Sequence, residues 1–340
     1  MAALGAAACD IKGTPNDQRT VGPTMTILGS NVAGTGAVIP SDGVIQLSFD
    51  RYLLPTTVTR QSYTLLDSGN QPIPKLALQT IYDPVARTLS ITGPDGAGTP
   101  WLTEGLTYRL VLPVPSTADA DVGGFRAIDR ATLAAPADFS FRAGPRTGRR
   151  EWEPTVDFCA DILPLFTARC SAGACHGNGS SSAAGLFLTT PDGVSRTARG
   201  RVAHGSNTSA LVDQQRAQGP IFGIDMALIA PGDPGSSWLI YKTELAPHPP
   251  AGIPAPPAVT CDAASTPAPA APFEALVPIS AEASPSERAA LNDAILGHSM
   301  PYAEGPSASN APLSFPERER LRLWIARGAA VRECGTCSVP

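Results

Sequence analysis

The sequence predicts a two-domain chain: an all-β sandwich over 23–144, a polar linker over 145–155, and a mainly α domain with long loops over 156–333. Three observations predict it. Apolar and polar residues alternate up to Gly144, and beyond the linker the apolar residues move to helical spacing. The 35 prolines and 32 glycines in 340 residues, about a fifth of the chain against roughly 12% ordinarily, call for many loops. A hydrophobic content of 43% still supports real cores, and the length suits about two domains. Charged residues make up 16%, the net charge is -5, and no Lys/Arg block occurs, so neither nucleic acid nor an anionic membrane face is an expected partner. No apolar run reaches the roughly 18 residues that cross a bilayer.

Residues 1–22 read as a terminal segment and tether. Leu4-Gly5-Ala6-Ala7-Ala8-Cys9-Asp10, small residues leading into a cysteine and then polar sequence, resembles the cleavage box of a bacterial lipoprotein. That reading makes Cys9 the acylated residue, the only membrane attachment, and places the protein in the periplasm or on the cell surface. An ordinary free or disulfide-bonded Cys9 is the alternative.

In the first domain Ile45, Leu47 and Phe49 alternate with Gln46 and Ser48. Leu89 and Ile91 flank Ser90, Tyr108 and Leu110 flank Arg109, and Phe139 and Phe141 flank Ser140. Half-buried strands have this period. Ser41-Asp42-Gly43, Ser68-Gly69-Asn70 and Gly93-Pro94-Asp95-Gly96 supply turns between them. Leu102, Gly105 and Tyr108 fit a tyrosine corner, in which the phenol hydroxyl ties back to preceding backbone. The stretch 42–142, most clearly Phe49-Asp50-Arg51 followed by Pro55-Thr56-Thr57-Val58, resembles bacterial Ig-like domains of the S-layer and invasin kind. The resemblance implies a spacer.

In the second domain Phe158, Ile162, Leu165 and Phe166 predict a helix, with Pro164 as a kink. Ser284-Pro285-Ser286-Glu287 reads as a capping box that opens a helix stopping at Gly297. Ser314 and Glu317 form another, before a helix whose one face carries Leu321, Trp324, Ile325 and Gly328. Between α segments, 245–283 is a Pro/Ala-rich surface insertion containing Cys261.

Chemistry is carried by Cys170-Ser171-Ala172-Gly173-Ala174-Cys175-His176-Gly177. Covalent haem needs thiols that add to its vinyl groups and a histidine beside the second cysteine to reach the iron. The spacing here is four residues instead of two. Two thioethers at Cys170 and Cys175, attachment through Cys175 alone with Cys170 in a disulfide, and a structural Cys170 disulfide with His176 merely adjacent all remain open. Met300, fixed by Pro301, is the candidate distal iron ligand, with His298 and Met226 as alternatives.

The stretch from Phe158 to about Val331 resembles the single-haem cytochrome c domains of planctomycete and myxobacterial secreted proteins. It carries Cys-His-Gly after a helix, then Gly185-Leu186-Phe187-Leu188. There follow Ala230-Pro231-Gly232-Asp233-Pro234 with Ser237-Trp238-Leu239, Met300-Pro301, and Trp324-Ile325-Ala326-Arg327-Gly328-Ala329. The resemblance implies one covalently bound haem c on Cys170 and Cys175, His176 as proximal and Met300 as distal iron ligand, and a redox protein partner. Cys159, Cys261, Cys334 and Cys337, the last two in a tail over 334–340, are left as disulfide candidates with three pairings.

The expected function is an extracytoplasmic electron carrier, not an enzyme. Two alternatives stand beside it: an electron-entry or peroxidase-like module of a larger oxidoreductase, and a non-haem, disulfide-stapled adhesion or scaffold lipoprotein.

Overall fold

The computed structural model describes residues 21–115, 123–148, 155–171, 175–177, 183–203, 225–247, 249, 260–261, 282–295, 299–301, 311–334 and 337–338. The predicted alternation does form strands. They are β1 (Ile27–Ser30), β2 (Val38–Pro40), β3 (Ile45–Phe49), β4 (Thr64–Leu66), β5 (Gln79–Asp83), β6 (Thr88–Thr92), β7 (Thr107–Leu112) and β8 (Ala137–Gly144). They make two four-stranded sheets, in the orders β1-β3-β6-β5 and β2-β8-β7-β4. Every pairing is antiparallel except β2 with β8.

Register follows the apolar pattern. Ile45 faces Ile91 and Leu47 faces Leu89 in one sheet, and Tyr108 faces Phe141 and Leu110 faces Phe139 in the other. A one-residue slip would turn these side chains out of the shared core, which takes Leu47, Leu89 and Tyr82 from one sheet and Leu65, Leu110 and Phe141 from the other. The Tyr108 hydroxyl accepts the Thr103 N–H at 2.8 Å, the backbone tie expected of the corner. Asp42, whose side chain is inaccessible, accepts the N–H groups of Thr147 and Gly148 at 2.9 and 2.6 Å and so fastens the chain leaving β8 to the turn before β3.

After residue 155 the chain forms a π-helical turn (Phe158–Ile162) running into α1 (Leu163–Cys170). Pro164 falls in the first turn of α1, where its missing N–H costs nothing, so the expected kink becomes a change of helix type. There follow α2 (Pro191–Thr197), α3 (Trp238–Glu244), α4 (Pro285–Ala294) and α5 (Phe315–Ala326), and a two-stranded sheet of β9 (Thr260–Cys261) and β10 (Cys337–Ser338). The helix predicted to run to Gly297 ends at Ala294; 296–298 lie outside the described residues.

The expected fold class, an all-β Ig-like sandwich followed by a mainly α cytochrome c domain, is corrected by this arrangement. The described residues form two four-stranded sheets, a two-stranded one and five α-helices of 7 to 12 residues, an α+β arrangement. Two of its three apolar clusters cross the sequence midpoint. Tyr52, Leu54 and Ile128 from between the strands are buried with Trp238, Tyr241, Leu291 and Ile295, and Val85 joins Phe158, Ile162, Trp324 and Ile325. Gly235 sits so close to β5 that a Cβ there would lie 3.0 Å from the Cβ of Tyr82. Period-two patterning reports the faces of strands, and it is silent about apolar residues between strands that wait for a helix.

Candidate functional site at the cysteine-bearing junction

Asp157 opens the helical half. Its carboxylate accepts the N–H groups of Cys159 and Ala160 at 2.9 Å each and receives Arg332 on both oxygens at 2.8 Å. Burial works against ionisation there, but Arg332 and the two N–H donors prevail and hold the acid below its ordinary value. Cys159, fully buried, is joined to Cys334 by a disulfide with the α-carbons 5.5 Å apart. Phe158 and Phe166 pack on Trp324 with ring centroids 5.7 and 6.1 Å apart, and the Trp324 indole donates to the Ala330 carbonyl at 2.9 Å. The segment that follows α5 is thus locked to the start of α1 by a covalent bond, an ion pair and an aromatic cluster. Backbone register also sets Cys261 of β9 directly opposite Cys337 of β10.

At the far end of α1 the chain doubles back. The His176 N–H donates to the Cys170 carbonyl at 2.9 Å, the Ala183 N–H to the Cys175 carbonyl at 2.9 Å, and the Leu188 N–H to the His176 carbonyl at 3.0 Å. Gly177 is needed for the approach, since a Cβ would stand 2.6 Å from the Ser171 carbonyl oxygen. Cys170 and Cys175 are both free and half-buried. Burial pushes the Cys170 thiol up to about 12, and Cys175 adds to that. The His176 side chain is 8% exposed, its Nδ1 has no hydrogen-bond partner among the described residues, and burial holds its pKa below the ordinary value, which favours neutral imidazole.

The remaining candidates lie elsewhere. Met226 is packed in the apolar cluster of Trp238 and Tyr241, and the Met300 N–H donates to the Lys242 carbonyl on α3. Cys9 and His298 lie outside the described residues. Among the described residues no group of three or more His, Cys, Asp or Glu is placed to hold a metal ion. The expectation of haem c, with thioethers at Cys170 and Cys175 and iron between His176 and Met300, is therefore corrected. What the described residues show instead is the backbone at His176 tied to the Cys170 carbonyl at the end of α1, with His176 buried.

What residue patterns did not disclose is a buried charged seam between the sheets and the helices. The Tyr52 hydroxyl donates to Glu244 at 2.9 Å, and Arg318, wholly buried, reaches the same carboxylate at 3.1 Å and the carbonyls of Leu313 and Ala246 at 2.9 Å each. Glu287 accepts the Tyr52 N–H at 2.6 Å and pairs with Arg87 at 2.6 Å. Arg322 pairs with Asp83 at 3.1 Å and with Glu319 at 2.6 Å. Burial raises the pKa of both Glu244 and Glu287 against the pull of their arginines, and it raises that of Tyr52 well above its ordinary value. One signal was present: Arg318, Leu321, Arg322 and Ile325 share a single face of α5, so two arginines had to be buried with the apolar residues. Against protein-family models and against curated proteins, the chain finds no match.

Proposed function

We propose that the protein is an extracytoplasmic scaffold, a disulfide-stapled structural or adhesion module that keeps one shape outside the reducing interior of the cell. The observation that carries this reading is the Cys159–Cys334 bridge, which closes 175 residues of chain. Structural disulfides persist in oxidising compartments and are uncommon where glutathione keeps thiols reduced. Two further features support it. Cys261 and Cys337 stand opposite each other on an antiparallel ladder, in the register that suits a second bridge. The seam of paired charges fastens the sheets to the helices over most of the sequence, which suits a part whose task is to hold a shape. Among the described residues no helix is long and apolar enough to cross a membrane, so attachment in this reading falls to acylated Cys9.

The test is to export the full chain to the periplasm of a bacterial host and digest it without reduction after blocking free thiols. A Cys159 peptide linked to a Cys334 peptide, and loss of the protein from the membrane fraction on Cys9→Ser, are the expected results. Alkylated Cys159 and Cys334 in the exported protein would overturn the reading, and membrane association unchanged by Cys9→Ser would overturn the anchor.

A further inference from the structure

The turn between α1 and Gly177 is left without a task by the scaffold reading. We propose that Cys170 and Cys175 are a thiol–disulfide exchange site, two thiols that a small disulfide of the glutathione class converts into an intramolecular bridge and that a small thiol restores.

Geometry carries this. The His176 N–H is bonded to the Cys170 carbonyl at 2.9 Å, which draws the α-carbon of Cys175 to that of Cys170 within about the 4–7 Å that a disulfide spans. The turn is pinned on its return side by Ala183 and Leu188, and Gly177 closes it on Ser171. The two thiols also sense each other, since Cys175 contributes to the upward shift of Cys170. Both are free cysteines lying outside the Cys159–Cys334 bridge.

Cys170 closes α1 at its C-terminal end, where the helix dipole opposes a thiolate, and burial holds its proton more firmly still. Cys175 is accordingly the entering nucleophile. Its thiolate attacks one sulfur of the small disulfide, forming a mixed disulfide and expelling one small thiolate, which takes up a proton. Cys170 then gives up its proton to solvent as its sulfur attacks Cys175. The Cys170–Cys175 bond forms and the second small thiolate leaves. Two protein thiols have lost two electrons, and one disulfide has become two thiols.

Both cysteines fall in the single tryptic peptide 170–196, so the outcome is read by mass on the full-length folded protein. After equilibration with excess oxidised glutathione and alkylation, that peptide should be recovered unalkylated and about two hydrogen masses lighter. Reduced glutathione should return two alkylatable thiols while the Cys159–Cys334 peptide stays linked. Cys170→Ser should trap glutathione on Cys175, and Cys175→Ser should leave Cys170 unmodified over the same time. Stepwise loss of one thiol, glutathione retained on the wild-type peptide, or failure of Cys170→Ser to trap the adduct would each overturn the proposal. The linked 159–334 peptide is scored in the same digest, so failure of this pair and failure of the scaffold reading are told apart.

Discussion

Glu244 is held inside the protein by Arg318 and the Tyr52 hydroxyl, and the cost of putting its charge there shows as a pKa raised by burial. A carboxyl whose folded pKa is raised contributes its stability in full below the unfolded value; that contribution is lost as pH rises through the raised one. Removing the counter-charge makes this worse. Arg318→Met should destabilise the fold by about 3–5 kcal/mol near pH 7, because it strands a buried carboxylate. The loss should shrink as pH falls through the raised pKa of Glu244, where the carboxylate takes up a proton, and Glu244→Gln added to Arg318→Met should recover much of it. Urea unfolding from neutral into acid pH checks this, and a loss that does not change with pH would mean that the arginine acts through packing alone. None of this pairing was legible locally. Arg87 and Glu287 are 200 residues apart and Arg318 and Glu244 are 74 apart, and no residue pattern near any one of them announces the other.

At the scale of elements, local signals served well where the partner is local. Ser284 caps α4 by accepting the Glu287 N–H at 3.2 Å, and Glu317 reaches back to the Ser314 N–H at 2.7 Å at the start of α5. The two acids part company there. Glu287 leaves its own cap for Tyr52 and Arg87, whereas Glu317 serves its cap and also pairs with Arg169 of α1 at 2.9 Å. Alternation likewise placed β3, β6, β7 and β8, because each strand has one face on a core. It missed the docking of Tyr52, Leu54 and Ile128 on the helices, because those residues lie where no period is expressed. The doubled role of Glu317 yields a comparison. Glu317→Gln keeps an acceptor for the Ser314 N–H and should cost about 1–2 kcal/mol, while Glu317→Ala loses both the cap and the contact with buried Arg169, and should cost about 3–4 kcal/mol. Equal losses in thermal unfolding would mean that one of the two contacts contributes nothing.

Over the whole molecule, two devices join distant parts of the chain, and they act on different states. The charged seam is a property of the folded protein, since its ions are held only when sheets and helices have docked. The Cys159–Cys334 bridge acts chiefly on the unfolded chain, by closing a loop of 175 residues that would otherwise be open. Loop-closure entropy for that length is worth about 5 kcal/mol at most, so Cys159→Ser with Cys334→Ser should lower unfolding stability by about 3–5 kcal/mol. The fold, with its three apolar clusters intact, should persist in the reduced variant at moderate temperature, and its far-ultraviolet circular dichroism should match that of the bridged protein. Arg332 and Asp157 lie beside the bridge and hold the same two segments, so their pairing should matter more once the bond is gone. Asp157→Asn in the bridged protein tests little beyond an exposed ion pair and a helix cap, and should cost about 1 kcal/mol. In the Cys159→Ser, Cys334→Ser background the same change should cost more, because the covalent tie on the segment after α5 is then gone and that ion pair carries a larger share of what holds it beside the Trp324 cluster. A double-mutant cycle by urea unfolding measures the difference. Strict additivity would show that the bridge and the ion pair hold the junction independently of each other.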